Sequence, residues 1–244
     1  MCELCATKAG APRIARRNFL RLASVTAVGF AIAPRAFAKE TKTPPKPENV
    51  LSPDAALDRL MKGNARYIDG LTKRHDFKHE REVLSNGQNP FAAVLSCADS
   101  RIAPELCFDT ARGDVFVCRV AGNFANDDIV ASLEYAVAVL NTPLIVVLGH
   151  GACGAVDATI KSIKDGTTLP GHLPSLVAAL RPAVEAVKDK PGDLLANAIR
   201  SNVALTVDKL KNAAPILKSS VDDMKIRVVG GIYELRTGRV ELLG

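Results

Sequence analysis

Phe91-Ala92-Ala93-Val94-Leu95-Ser96-Cys97-Ala98-Asp99-Ser100-Arg101 sets the reading of the whole chain. Six residues of strand character run straight into a segment that carries a thiol, a carboxylate and a guanidinium. The pattern returns further on, where Leu144 to Leu148 leads into Gly149-His150-Gly151-Ala152-Cys153-Gly154. Asp114 to Val120 and Ile226 to Val229 are two more short apolar or β-branched runs. Runs that are apolar at consecutive positions suit strands covered on both faces, as in a parallel sheet. Asp127 to Leu140 separates two of them, and its Ile129, Leu133, Ala136, Val137 and Leu140 recur at helical spacing, so it should lie on that sheet. Strands alternating with helices predict an α/β fold, an open and mostly parallel β-sheet flanked by helices, whose ligands gather beyond the carboxyl ends of the strands. Both polar segments begin at such ends.

Working outward, Ser52-Pro53 opens a helix, with Ser as cap and Pro in the first turn, and Leu57, Leu60, Met61, Asn64 and Ile68 form one face that Asn64 interrupts. Leu173 to Lys188 and Asp193 to Asn212 read as two more helices, broken by Lys190-Pro191-Gly192. Thr237-Gly238 marks a turn between Ile232-Tyr233-Glu234-Leu235 and Val240-Glu241-Leu242-Leu243, a closing hairpin. The stretch 39–50, rich in Thr, Pro and Lys, reads as a linker with no means of burying a core. Residues 51–244 are then one domain, long enough for a substantial core.

Residues 12–38 read as an export leader. Arg16-Arg17 and Arg21 are followed by the apolar stretch Leu22 to Ala33 and by Ala36-Phe37-Ala38, so the basic, apolar and cleavable parts stand in order. The paired arginines ahead of Phe19-Leu20 resemble a twin-arginine signal, which places the mature chain in the periplasm. The apolar run falls short of the roughly 20 residues that span a bilayer, so no membrane association is expected after cleavage. Cys2 and Cys5 leave with this leader. Residues 1–38 hold six Lys or Arg and one acidic residue, so the net charge of +6 falls to +1 on removal. So small a balance implies no nucleic-acid partner.

Two thiols and an imidazole at two strand exits suit a tetrahedral metal such as zinc (Zn2+), with the fourth position left to Asp99 or to water. In extended backbone, residues two apart point the same way, so Cys97, Asp99 and Arg101 share a side and Asp99 can meet both the metal and Arg101. A disulfide between Cys97 and Cys153 is the competing reading. Cys107 and Cys118 read as small buried hydrophobes. His75 and His79, flanked by Asp76, Lys78, Glu80 and Arg81, read as a solvated charged face rather than a second metal site.

Cys97-x-Asp99-x-Arg101 followed by His150-x-x-Cys153 resembles the signature of the β-class carbonic anhydrases. The likeness extends through Pro104-Glu105-Leu106, Gly113 to Val117, Arg119 to Asn123 and Leu133 to Ala136, over about residues 51 to 244. It implies that Cys97, His150 and Cys153 bind zinc, joined in one state by Asp99, and that Asp99 and Arg101 are the catalytic dyad. Gln88, Phe116, Tyr135 and Gly154 match substrate-binding positions. It also implies reversible hydration of carbon dioxide to bicarbonate by attack of zinc-bound hydroxide, an N-terminal helical arm, and a homodimer or higher even oligomer with the site at the dimer interface. Some bacterial members are regulated through a bicarbonate pocket that uses a tryptophan, and this chain has none. The runner-up is a periplasmic zinc-binding or thiol-redox protein on the same scaffold. A third reading is an altered substrate such as carbon disulfide on the same metal site.

Overall fold

The computed structural model describes residues 43–244; the leader and the first part of the expected linker lie outside them. A five-stranded sheet organises the chain. Its strands are β1 (Ala92–Ser96), β2 (Val115–Arg119), β3 (Leu144–His150), β4 (Arg227–Tyr233) and β5 (Val240–Leu243), in spatial order β2-β1-β3-β4-β5. The first four are parallel and β5 closes antiparallel on β4. The α/β fold expected from the strand-like runs is the one observed.

Successive side chains on β1 and β3 sort onto opposite faces, and those two apart share one. Ala93, Leu95, Ile145 and Val147 pack with Leu133, Ala136 and Val137 of α4 (Asp127–Ala138), Val203 and Leu210 of α7 (Leu194–Lys211), and Leu217 of α8 (Ile216–Asp222). Ala92, Val94, Leu144, Val146 and Leu148 pack with Phe91, Phe108, Ala56 and Leu60 of α1 (Pro53–Ile68), and Cys107 of α3 (Pro104–Cys107). Both faces are covered, which is why consecutive residues of β1 and β3 are apolar. Gly149 permits the close approach of α7, because a Cβ there would stand 2.6 Å from Cγ2 of Val203.

Beyond the strand ends, α5 (Gly154–Asp165), α6 (Leu173–Glu185) and α7 enclose a third apolar cluster that includes Cys97 and Cys153. No helix among the described residues is long and apolar enough to cross a membrane.

Two expectations change. First, residues 46–49 do not behave as a solvated linker: Pro47–Asn49 form a 3-10 turn, and Lys46 and Asn49 are buried against Asp114. A lysine and an asparagine find a buried carboxylate there, a contact that composition does not reveal. Second, Ile226–Val229 and Ile232–Leu235 are not separate strands. Gly230-Gly231 is paired through, opposite Val147 and Leu148, because α7 packs onto Gly230 and fills the space its missing side chain leaves. Asn64 interrupts the stripe of α1 as expected, and there it makes a tie: its amide donates to the carbonyls of Cys107 and Gly238 and accepts from the Val240 N–H.

Candidate metal centre

Cys97 follows the last residue of β1, His150 ends β3, and Cys153 is the N-cap of α5. Parallel pairing of Ser96 with Leu148 brings the two exits side by side. The turn between His150 and Cys153 is tight, with Ala152 at φ +51°, a left-handed conformation that returns the chain toward the imidazole. One donor atom from each of Cys97, His150 and Cys153 lies within 4.8 Å of the others, and the three residues are 3%, 0% and 1% exposed. Both cysteines are free thiols, so the disulfide reading is not the arrangement seen.

Hydrogen bonding orients each donor. Nδ1 of His150 lies 2.8 Å from the Gly151 carbonyl oxygen, to which it donates as the N–H tautomer, and this turns Nε2 toward the thiols. Nε2 is buried without a hydrogen-bond partner. A buried imidazole lone pair without a donor, facing two sulfurs, is the signature of a cation site, and two sulfurs with one nitrogen suit zinc. The Cys97 sulfur accepts from the backbone amides of Gly122, at 3.3 Å, and Asp99, at 3.4 Å. Gly122 holds φ +82° beneath Leu180, and Asn202 of α7 donates to its carbonyl oxygen at 2.7 Å.

These contacts make Cys97 acidic. The Cys153 thiol donates to it and outweighs burial; with His150 and the Gly122 and Asp99 amides, the Cys97 thiol is lowered to about 4. Cys153 is raised by the same hydrogen bond and by burial, so the pair shares one proton that a metal would displace. Burial pulls His150 down, but the Cys97 thiolate outweighs it and the net direction is up. Cys107, with no such neighbours, is pushed up to about 12 by burial, as befits a packed and inert thiol.

Asp99 stands beside this triad and is held by Arg101. Arg101 donates from Nη2 to Oδ2 at 2.7 Å, from Nε to Oδ1 at 2.9 Å and from its backbone amide to Oδ1 at 3.0 Å. That grip holds the carboxyl well below the usual range. Oδ2 lies 3.9 Å from Nε2 of His150, so the carboxylate faces the donors without joining them. Of the four expected ligands the structure brings three together and leaves Asp99 on Arg101, both of whose oxygens are engaged.

Of the remaining residues, Gly154 directly follows the donor Cys153, and Gln88, Phe116 and Tyr135 lie elsewhere in the chain. Gln88 is exposed in the loop between α2 (Phe77–Leu84) and β1, and Gly154 is exposed at the start of α5. Phe116 on β2 packs against Tyr135 on α4, with ring centroids 6.5 Å apart and Tyr135 47% exposed. His75 precedes α2 and meets Glu80 at 3.3 Å, while His79 is exposed, in keeping with a charged surface. Gly122 and Asn202 escaped the sequence reading: one acts through its amide, and the other is a polar residue inside a helix.

The family model described as carbonic anhydrase matches residues 92–240. The chain belongs to the β-class carbonic anhydrases. Among relatives, it is 36% identical to carbonic anhydrase 2 of Mycobacterium tuberculosis and to the carbonic anhydrase of Mycolicibacterium smegmatis. Each comparison covers 78% of this chain and 93% of the relative. The solved β-carbonic anhydrase CcaA superposes with a TM-score of 0.59 at 28% identity, over 77% of this chain and 95% of that one. A tetrameric β-carbonic anhydrase from Sordaria macrospora shares the fold, with a TM-score of 0.59 at 24% identity over 78% of this chain and 95% of its own.

Proposed function

We propose that Cys97, His150 and Cys153 hold zinc and that Asp99 and Arg101 form the catalytic pair for reversible hydration of carbon dioxide to bicarbonate and a proton. The chain is a carbonate dehydratase, a zinc lyase of the β-carbonic anhydrase family. The observation that carries the assignment of roles is an unpartnered buried Nε2 facing two thiols beside a carboxylate fixed at both oxygens.

Zinc, when bound, supplies a Lewis acid that makes an oxygen nucleophile available near neutral pH. Cys97 and Cys153 bring negative charge, so the orientation of the nucleophile falls to the protein. Asp99 does this as a fixed acceptor: ionised against Arg101, it would accept a hydrogen bond from the nucleophile and so direct a lone pair of that oxygen at carbon dioxide. Arg101 keeps Asp99 charged and keeps it out of the ligand set. The Gly151 carbonyl holds the His150 ring in the tautomer that presents Nε2.

Gln88, Phe116, Tyr135 and Gly154 complete the substrate pocket in this reading, and a homodimer or higher even oligomer assembles it. The outward placement of Gln88 and Tyr135 and the free edge of β2 support such an assembly. The leader supports a bacterial, exported enzyme, cleaved after Ala38 and resident in the periplasm, with residues 39–244 as the mature chain. Mass spectrometry of the periplasmic protein should find Lys39 first, and cytosolic protein retaining Met1 would overturn export.

Stopped-flow carbon dioxide hydration by the mature chain, with zinc measured on the same sample, tests the assignment. About one zinc per chain with hydration supports it. Full zinc without hydration at any pH up to about 9 moves the protein to the zinc-binding or thiol-redox reading.

A further inference from the structure

Arg119 is the last residue of β2 and the register partner of Ser96. Its side chain crosses to the segment beyond β1. Nε donates to the carbonyl oxygen of Cys97 at 3.0 Å, and Nη2 donates to the carbonyl oxygen of Asp99 at 2.7 Å. One planar group thus ties the backbone of a metal donor to the backbone of the carboxylate beside it.

The two halves of that segment are held unequally. Cys97 is fixed many times over without Arg119. The ladder continues past the strand ends through Val120 N–H to Ser96 at 3.1 Å and Ala98 N–H to Val120 at 3.3 Å. The Gly122 amide holds the sulfur, and Asn202 holds Gly122. Asp99 sits in a local turn instead. Its carbonyl accepts from the Ile102 N–H at 3.0 Å, and its side chain is gripped by Arg101, two residues on. Partners so near in sequence can swing with the turn. Arg119 is the contact that ties this turn to β2.

We propose that Arg119 is a positioning residue that fixes the direction of the Asp99 carboxylate relative to the three metal donors. It thereby keeps Asp99 on Arg101 and out of the metal's coordination. The proposal rests on the reading of Asp99 and Arg101 as the working pair. A guanidinium suits the task because its donors lie in one rigid plane and serve two carbonyls at once; a lysine ammonium is a point charge on a flexible stem.

The test uses the full mature chain, with Arg119→Ala, Arg119→Lys and Arg101→Ala compared for zinc content, kcat, KM and the visible spectrum of the cobalt-substituted protein. Arg119→Ala should keep about one zinc per chain, as Cys97 remains braced. Its kcat should fall on the order of tenfold to a hundredfold, the scale set by misplacing a reacting group. KM should stay within about twofold, since the lost interaction acts on orientation rather than on ground-state binding. Arg119→Lys should lie between the two, and the cobalt spectrum of Arg119→Ala should move from the wild-type form toward that of Arg101→Ala.

Wild-type kcat and spectrum in Arg119→Ala, with Arg101→Ala inactive, overturn this proposal alone. An active Arg101→Ala overturns the underlying reading of the pair. Loss of zinc from both Arg119 variants assigns the residue to holding Cys97 and overturns its role on Asp99. Should Arg119→Ala fail to fold, Arg119→Lys decides, because wild-type kcat and spectrum there refute the need for a two-pronged donor.

Discussion

The two ends of the sheet each bury a cluster of ionisable groups, and the clusters are completed on opposite terms. At the amino end, Asp114 accepts from Lys46, from Arg59 at 3.3 Å, from Asn49 at 3.2 Å and from the Ala111 amide at 2.9 Å. Asp109 nearby accepts from Arg66, from Thr72 at 2.8 Å and from the Lys73 amide at 3.1 Å. Both oxygens of each of these two aspartates have a partner inside the protein. At the carboxyl end, Nε2 of His150 has none. A satisfied buried cluster fastens chain to chain, whereas one that lacks a single partner is arranged for something the chain does not itself contain. The amino-end cluster fastens the segment at Lys46 and helix α1 to the β1–β2 connection; the carboxyl-end cluster has the donors to hold a cation.

The largest effect should follow from removing a donor at the open end. Cys97→Ser and His150→Ala should each lose zinc, measured by metal analysis, with hydration falling to the uncatalysed background. A zinc-loaded, active Cys97→Ser would erase the contrast between the two ends. Next comes Arg101→Ala, which leaves all three donors and should retain zinc while turnover drops by about 10²–10⁴, the usual range for a lost proton-handling group.

At the closed end the effect should be on stability. Asp114→Ala strands Lys46, whose side chain is 10% exposed, without a counter-charge. Breaking a buried pair by removing one partner costs about 3–5 kcal/mol. In a chain of this size that lowers the unfolding midpoint by about 10 °C, with zinc content and kcat at low temperature unchanged. A midpoint within a degree of wild type would show that the amino-end cluster fastens nothing.

Asp109 adds a pH signature. Burial alone would raise it, but the hydrogen bonds from Arg66, Thr72 and the Lys73 amide win, and its carboxyl lies below the ordinary value. A depressed folded pKa means stability that is fully present above the unfolded value of about 3.9 and is lost as pH falls through the folded one. Thermal unfolding followed from pH 6 down to pH 3 should therefore fall more steeply in wild type than in Asp109→Asn. Parallel curves would deny Asp109 that role.

The two ends also differ in how much of them the sequence discloses. The metal corner was legible because its parts are local: apolar runs name the strands, and Cys97, Asp99, Arg101, His150 and Cys153 follow them within a few residues. Parallel pairing then had to bring the exits together. The amino-end cluster was illegible because Lys46 and Asp114 are 68 residues apart and Lys46 lies among prolines and threonines, a composition that reads as solvated. Arg119 and Asn202 were hidden for another reason. They act on backbone carbonyls, and no side-chain pattern records which carbonyl an arginine or asparagine will find. Gly230-Gly231 misled in the opposite sense, since glycine reads as a break until α7 is known to lie on it.

The smallest expected effect isolates burial as the cause. Lys218 and Asp222 form a lysine–aspartate pair like Lys46 and Asp114, but on the surface of α8, with N···O 2.7 Å and side chains about half exposed. Water screens this pair, both side chains lose freedom in making it, and Asp222 ends the helix, where negative charge opposes the helix dipole. Asp222→Ala should therefore change stability by no more than about 0.5 kcal/mol, an order of magnitude below Asp114→Ala, as denaturant unfolding of the two variants side by side would measure. Equal losses would mean that the chemistry of the pair matters and its surroundings do not. The reason given for the strength of the amino-end cluster, that Lys46 has no water to turn to when Asp114 is gone, would then fail.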